Sequence, residues 1–250
     1  MLPSSSMDPS SVSLRYDVRL DPDGWELPEG PVPESAPHDD LCDRLKHVLQ
    51  HWVTRERRDA EVYRNLAVRF DPRRPRVGID PDVCVVSPAP AERRALTSLQ
   101  TWVHGSPLLS IEVVSATHTS KDYVEAPARH AASGVRELWV LDPLLAGPRV
   151  HGGPFVVQVW RREADGFVRV HAGMEPYRSQ LVGAWVVPIG GSVQLSADGE
   201  GVQPWRTSDE AATEAERAAK EHERAGRERE RAEKEAALRE LAELRARVGG

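Results

Sequence analysis

Two apolar runs in this chain each carry a carboxylate. "VGIDPDVCVV", residues 77–86, sets Asp82 at the head of Val83–Val86, and "LLSIEVVS", residues 108–115, sets Glu112 among Leu108, Leu109, Ile111, Val113 and Val114. Both runs read as buried strands. An ionised carboxylate in such a place is costly unless something pairs with it. The fold must therefore bring a partner to each acid, or bring both acids to a common ligand. If the two strands are neighbours, the carboxylates converge at one end of a sheet, repel, and raise each other's pKa. A divalent cation relieves that repulsion, and Mg²⁺ is commonly held by one or two carboxylates with waters and substrate phosphates. The plainer alternative makes Asp82 a turn or cap residue and pairs Glu112 with an arginine on a neighbouring element.

The pattern around these runs is mixed. Residues 1–37 are rich in Ser, Pro, Asp and Gly and read as an irregular arm, in which only "VSLRYDVRL" alternates like a strand. From Asp39, the residues Leu41, Leu45, Val48, Leu49 and Trp52 recur at helical spacing, with Asp39 or Asp40 as the N-cap. "AEVYRNLAVRF" alternates as a strand that bends at Asn65, "ALTSLQTWV" reads as a short helix, and residues 121–133 as a helix with Pro127 in its first turn and Gly134 past its end. "VRELWVLDP" is another buried strand, ended by Asp142, and "FVVQVWRREADGFVRVHAG" a hairpin turning at Asp165-Gly166. The expected fold is a layered α/β (α+β) domain over residues 38–206, with a mixed β-sheet and flanking helices.

From residue 207 the composition becomes Ala, Glu and Arg, with i,i+4 pairs such as Glu216/Lys220 and Glu223/Arg227 in the favourable order. A helix of about 40 residues would reach roughly 60 Å. Its apolar stripe is thin until Leu238, Leu241, Leu244 and Val248, so it reads as a solvated single helix or as a weak coiled coil that would make a homodimer. Asp and Glu, 39 together, outnumber Lys and Arg, 33, which argues against a generally basic nucleic-acid binder but leaves room for a local basic groove. "RFDPRRPRVG", with Arg69, Arg73, Arg74 and Arg76, is one place for such a groove or else a solvated hairpin tip. Cys42 and Cys84 are too few for a disulfide framework or zinc cluster. No apolar run approaches the roughly 20 residues of a membrane helix, and the first residues lack the features of a signal peptide. A soluble cytoplasmic protein is the expectation.

Three blocks carry a resemblance: "DPDVCVV", "WVHGSPLLSIEVVSATHTSKDY" and "HAASGVRELWVLDP". In order and spacing, over roughly residues 38–190, they resemble a large bacterial family described as restriction endonucleases and long labelled a domain of unknown function. That family's domain is similar to the PD-(D/E)XK nuclease fold. The resemblance implies that Asp82 and Glu112 ligate Mg²⁺ or Mn²⁺ and that a lysine polarises the attacking water. Here the chain departs from the pattern. The place two residues after Glu112 is Val114, and where the family often has Asp, three residues, then Lys, this chain has Asp122 and Ala126. Lys121, beside Asp122, and Arg129, one turn on, are the replacement cations; Lys121 reads equally as a surface residue. Arg129 can bind phosphate but cannot act as a base. His130 stands at a usual tyrosine position, as a packing replacement or a proton carrier. His38 matches a histidine often seen before the first helix, where it caps the helix or faces the site. The expected function is a metal-dependent endonuclease acting on nucleic acid, DNA above all. The alternative is an inactive nuclease-fold protein that binds partners through its C-terminal helix.

Overall fold

The computed structural model describes residues 15–16, 25–27, 35–115, 119, 121–149, 152–164 and 166–248. The chain divides into two compact units, Met1–Thr207 and Ser208–Gly250. In the first unit, β1 (Arg15–Tyr16) precedes α1 (Ala36–Arg55), then β2 (Glu61–Arg64), β3 (Ala67–Arg69), β4 (Gly78–Ile79), β5 (Val83–Val86) and β6 (Ser98–Gln100). A short α2 (Thr101–His104) leads to β7 (Leu109–Val113), a π-helical turn at Lys121–Glu125, α3 (Ala126–Ser133) and β8 (Glu137–Leu141). The hairpin strands β9 (Val157–Glu163) and β10 (Gly166–Gly173) follow, and then β11 (Tyr177–Arg178), β12 (Trp185–Ile189) and β13 (Ser192–Ser196).

Seven strands form the main sheet in the order β1-β10-β9-β8-β7-β5-β2, and two three-stranded sheets, β11-β12-β13 and β4-β3-β6, accompany it. The main sheet is mixed: β7 and β8 run parallel, joined through the π-helical turn and α3, while β5 is antiparallel to β7. Its central strands are covered on both faces, which is why β5, β7 and β8 read as continuous apolar runs rather than alternating ones. One face packs Val83, Val85, Ile111 and Trp139 against Leu41, Leu45, Leu49 and Trp52 of α1. Val186, Val193 and Leu195 of the small sheet join that same core. The other face packs Leu138 and Val140 against Ala131 of α3.

Several expectations shift. The first helix begins at Ala36 with Ser35 as N-cap and Pro37 in its first turn, not at Asp39 or Asp40, because proline's fixed φ suits the opening turn. "ALTSLQTWV" splits into strand β6 and the single turn α2, since Leu99 pairs with Val68 in parallel register. The strand pattern around Asn65 breaks as expected, with that residue at φ 48°. Gly134 closes α3 at φ 81°, and Arg162 donates to the carbonyls of Ala131 and Val135. Strands β11–β13 were not legible in the sequence. Asp165 of the expected hairpin turn, and most of the N-terminal arm, lie outside the described residues.

The second unit is α4 (Ser208–Val248), 41 residues long. Two expected pairs form, Glu216–Lys220 and Glu223–Arg227, each at 2.6 Å. Glu235 takes Arg231 at 3.2 Å, and Arg224 takes Glu228, both in the reverse order. Each such exposed pair contributes only a few tenths of a kcal/mol. No described helix is long and apolar enough to cross a membrane.

Candidate active site

The site lies at the end of the main sheet where β7 and β8 finish and β5 begins. In the β5–β7 ladder Val83 faces Ile111, so Asp82 and Glu112 occupy the next rung. Glu112 faces Val140 of β8, and Val140 belongs to the core under α3. Its side chain therefore turns to the α3 face. There it meets His130: Nε2 and Oε1 are 2.7 Å apart, with His130 fully buried and Glu112 3% exposed. The partner of this central carboxylate is a histidine from the crossover helix, not an arginine.

Asp82 sits just before β5, where its side chain can lie along the sheet end. Its Oδ2 accepts the Val113 N–H at 2.6 Å. On the other face, His38 of α1 brings Nε2 to 3.3 Å from the same oxygen and 2.9 Å from the Val113 carbonyl oxygen. Behind it, Cys42, one turn along α1, places Sγ 3.7 Å from His38 Nδ1. His38 thus faces the site rather than capping its helix. Each acid has one oxygen tied by a histidine, and the two histidines come from opposite faces of the sheet.

The two acids make a field that the neighbours report. Burial pushes Glu112 well above the usual carboxylate range, and the Asp82 charge pushes it the same way. Burial, then Glu112, lifts Asp122 to about 8. Asp122 is held by the Ser115 N–H at 3.3 Å. Burial also raises Asp80, whose Oδ1 has no hydrogen-bond partner. Lys121 is exposed at the mouth, and its positive charge lowers Glu112, Asp80 and Asp122. Arg129 pairs with Glu125 at 3.2 Å and lies over the Trp25 ring. Its charge also acts on Asp80.

The π-helical turn that carries Lys121 and Asp122 is anchored through Tyr123. The Tyr123 hydroxyl donates to Asp142 Oδ2 at 2.8 Å and accepts the Phe155 N–H at 3.0 Å. Asp142 also accepts the N–H groups of Ala146 and Gly147, so it does end its strand with a turn. Any Cβ at residue 147 would fall 2.3 Å from the Tyr123 ring, so glycine is needed there. A single-turn π segment re-aims side chains relative to a regular helix, and such turns recur at functional sites.

The other candidates scatter. Ala126 is buried against the Tyr63–Val68 core and offers no charge. Arg69, Arg73, Arg74 and Arg76 form the β3–β4 hairpin tip, where Asp71 takes Arg73 and Arg74, and Glu26 takes Arg76. Sequence reasoning missed Asp80 and Cys42. The Asp80-Pro81-Asp82 step and the i,i+4 spacing of His38 and Cys42 were the available signals.

The donors fit a hard divalent cation. Asp82 Oδ2 and Glu112 Oε1 are occupied, which leaves one oxygen on each acid, and Asp80 adds a buried oxygen without a partner. Oxygen-only sets suit Mg²⁺ or Mn²⁺. His38 and Cys42 stand close enough to Asp82 to join a metal site, but both imidazole nitrogens already have partners.

A family model described as "Putative restriction endonuclease" matches residues 18–187. A solved structure from Anabaena variabilis, titled a "putative nuclease belonging to DUF820", aligns at 17% identity over 55% of this chain and 69% of its own, with TM-score 0.39. No curated protein matches the chain.

Proposed function

The chain belongs to the Uma2 family, described as "Putative restriction endonuclease", and from that premise we propose that it is a divalent-metal-dependent endonuclease that hydrolyses phosphodiester bonds in DNA. The observation that carries this reading is the shared rung of Asp82 and Glu112, each with one oxygen held by a histidine. Without a common ligand, two buried acids beside each other have no stabilising reason to be there. A divalent cation bound there supplies charge to the phosphoryl oxygens and lowers the pKa of water.

The chain's own groups have separable tasks. Asp82 and Glu112 hold the cation. Val113 N–H and His38 fix the Asp82 carboxylate in place. Lys121, at the mouth and within electrostatic reach of three of the acids, contacts the scissile phosphate or the water that attacks it. It replaces the family lysine whose place is taken by buried Ala126. Asp122 and Arg129 are accessory, Asp122 as a proton store close to neutral pH.

Ala126 also favours a second reading, a nuclease fold that binds nucleic acid or a protein without cutting. The experiment separates the two. Mn²⁺ titration by calorimetry and plasmid nicking are run on wild type, Asp82→Ala and Lys121→Ala. The endonuclease reading expects binding and nicking to vanish in Asp82→Ala. It expects Lys121→Ala to keep Mn²⁺ affinity while nicking falls by about 10²-fold, the usual scale for a group acting on proton or charge. Binding without nicking in wild type would favour the second reading, and no binding would remove the catalytic one.

A further inference from the structure

We propose that His130 is a positioning residue for Glu112: it donates its Nε2–H to Oε1 and so presents the other carboxylate oxygen to the cation. The inference rests on the assignment of Glu112 as a cation ligand and deepens it.

The contact is polar where packing alone would favour an apolar side chain. His130 sits on α3 among buried neighbours, fully covered, and its Nε2 approaches Glu112 Oε1 to 2.7 Å. That is the only described hydrogen bond of the Glu112 carboxylate, so without it the acid would stand in the core with no donor. The ring's other nitrogen, Nδ1, is buried and has no partner. This orphan decides the tautomer. An imidazolium would carry a hydrogen on each ring nitrogen, and Nδ1 has no acceptor for one, so the ring has a single N–H. On Nδ1 that hydrogen would be a buried donor without an acceptor, which folded proteins rarely tolerate. On Nε2 it meets the carboxylate, and Nδ1 becomes a bare lone pair. The contact is therefore a one-way donation from His130 to Glu112.

The geometry of α3 makes this donation rigid. Ser133 Oγ bonds the His130 carbonyl oxygen at 2.9 Å. Gly134 ends the helix one residue later in the left-handed conformation, and Arg162 ties the last carbonyls to β9. A metal-ligating carboxylate needs such an outer partner to fix which oxygen faces the ion, and losing it typically costs about 10–100-fold in metal affinity. His130 gives Glu112 what Val113 N–H and His38 give Asp82.

The test compares His130→Phe, which fills the space without a donor, with His130→Gln, which keeps one. Mn²⁺ affinity is measured by calorimetry on each variant, with thermal melts to confirm folding, and ¹⁵N NMR reports the His130 tautomer in the wild type. The inference expects affinity to fall about 10-fold or more in His130→Phe and to stay within about threefold of wild type in His130→Gln. It also expects Nε2 protonated and Nδ1 bare. Should His130→Phe fail to fold, His130→Gln and the tautomer carry the test. Mn²⁺ binding that Glu112→Gln abolishes but His130→Phe leaves intact would overturn this inference alone, as would an Nδ1–H tautomer or a His130→Gln variant that binds no Mn²⁺. Absence of Mn²⁺ binding by wild type would sink the cation assignment and this inference with it.

Discussion

His38–Asp82 and His130–Glu112 are both histidine–carboxylate pairs, in two settings, and they behave as opposites. His38 lies on α1 beside a carboxylate at the sheet end. The Asp82 hydrogen bond, with the Cys42 contact, lifts its pKa to about 11 against the drag of burial. It is an imidazolium in an ion pair. His130 lies inside the sheet–helix interface, where burial, with the Lys121 and Arg129 charges, drives its pKa down to about 3 against the pull of Asp82. It is a neutral donor. The lesson is that depth decides whether the acid or the burial sets the charge of the histidine beside it. At the rim the pair adds stability. In the core the burial of the acid is a liability.

The largest effect that would sharpen this contrast is a difference of sign. Replacing each acid by its amide keeps the shape and removes the charge. Asp82→Asn discharges the partner of a charged His38, and a hydrogen bond between charged groups is worth about 1.5–3 kcal/mol. The variant is expected to be less stable by about 1–2 kcal/mol. Glu112→Gln relieves a desolvated carboxylate of its own burial and of repulsion from Asp82, while His130 can still donate to the amide oxygen. It is expected to be more stable by about 1–2 kcal/mol, since neutralising buried charge is often stabilising. Under the proposed function both variants also lose the cation. Urea melts at pH 8 decide it. Shifts of the same sign in both would break the comparison.

How legible this was in the sequence follows from the same physics. The acids could be found because a carboxylate inside "LLSIEVV" violates the pattern of a buried strand. Their adjacency depended on β5 pairing with β7, which only non-local register decides, although the family resemblance implied a shared site. His130 was read as a packing substitute or proton carrier because helical spacing shows which face it occupies, not what stands opposite. The hydrogen bond to Glu112 belongs to the crossover geometry of α3. Asp80 is hidden in the sequence because one acid beside a proline looks like a turn. The small sheet β11–β13 is hard to read from the sequence because β11 has only 2 residues and the sheet's core contacts run to α1 rather than to a sequence neighbour.

The smallest effect, spread over several pH units, separates the two histidines by the direction in which stability is lost. His38 has a folded pKa of about 11 against an ordinary 6.5. Its contribution is complete below about pH 6.5 and fades as pH rises towards 11, because there the folded state holds a proton that the unfolded state has released. His130 has a folded pKa of about 3 against the same ordinary value. Its contribution is complete above about pH 6.5 and fades as pH falls towards 3, because there the unfolded state takes up the proton first. Asp122, lifted from 3.8 to about 8, adds a further decline as pH rises between those values. Melting temperature should thus fall as pH rises above about 6.5, by about 2–4 °C for each kcal/mol lost, while between about pH 4 and 6.5 the Asp122 decline opposes the His130 gain, so the acid limb is read in an Asp122→Asn background. Asp122→Asn should remove the decline between about pH 4 and 8. Asp82→Asn should flatten the alkaline limb, since it takes away the partner that keeps His38 charged, and leave the acid limb standing. His130→Phe should flatten the acid limb and leave the alkaline one. If either variant flattens the limb assigned to the other, then the two pairs are not distinguished by depth, and the charge of each histidine is set by something other than its burial.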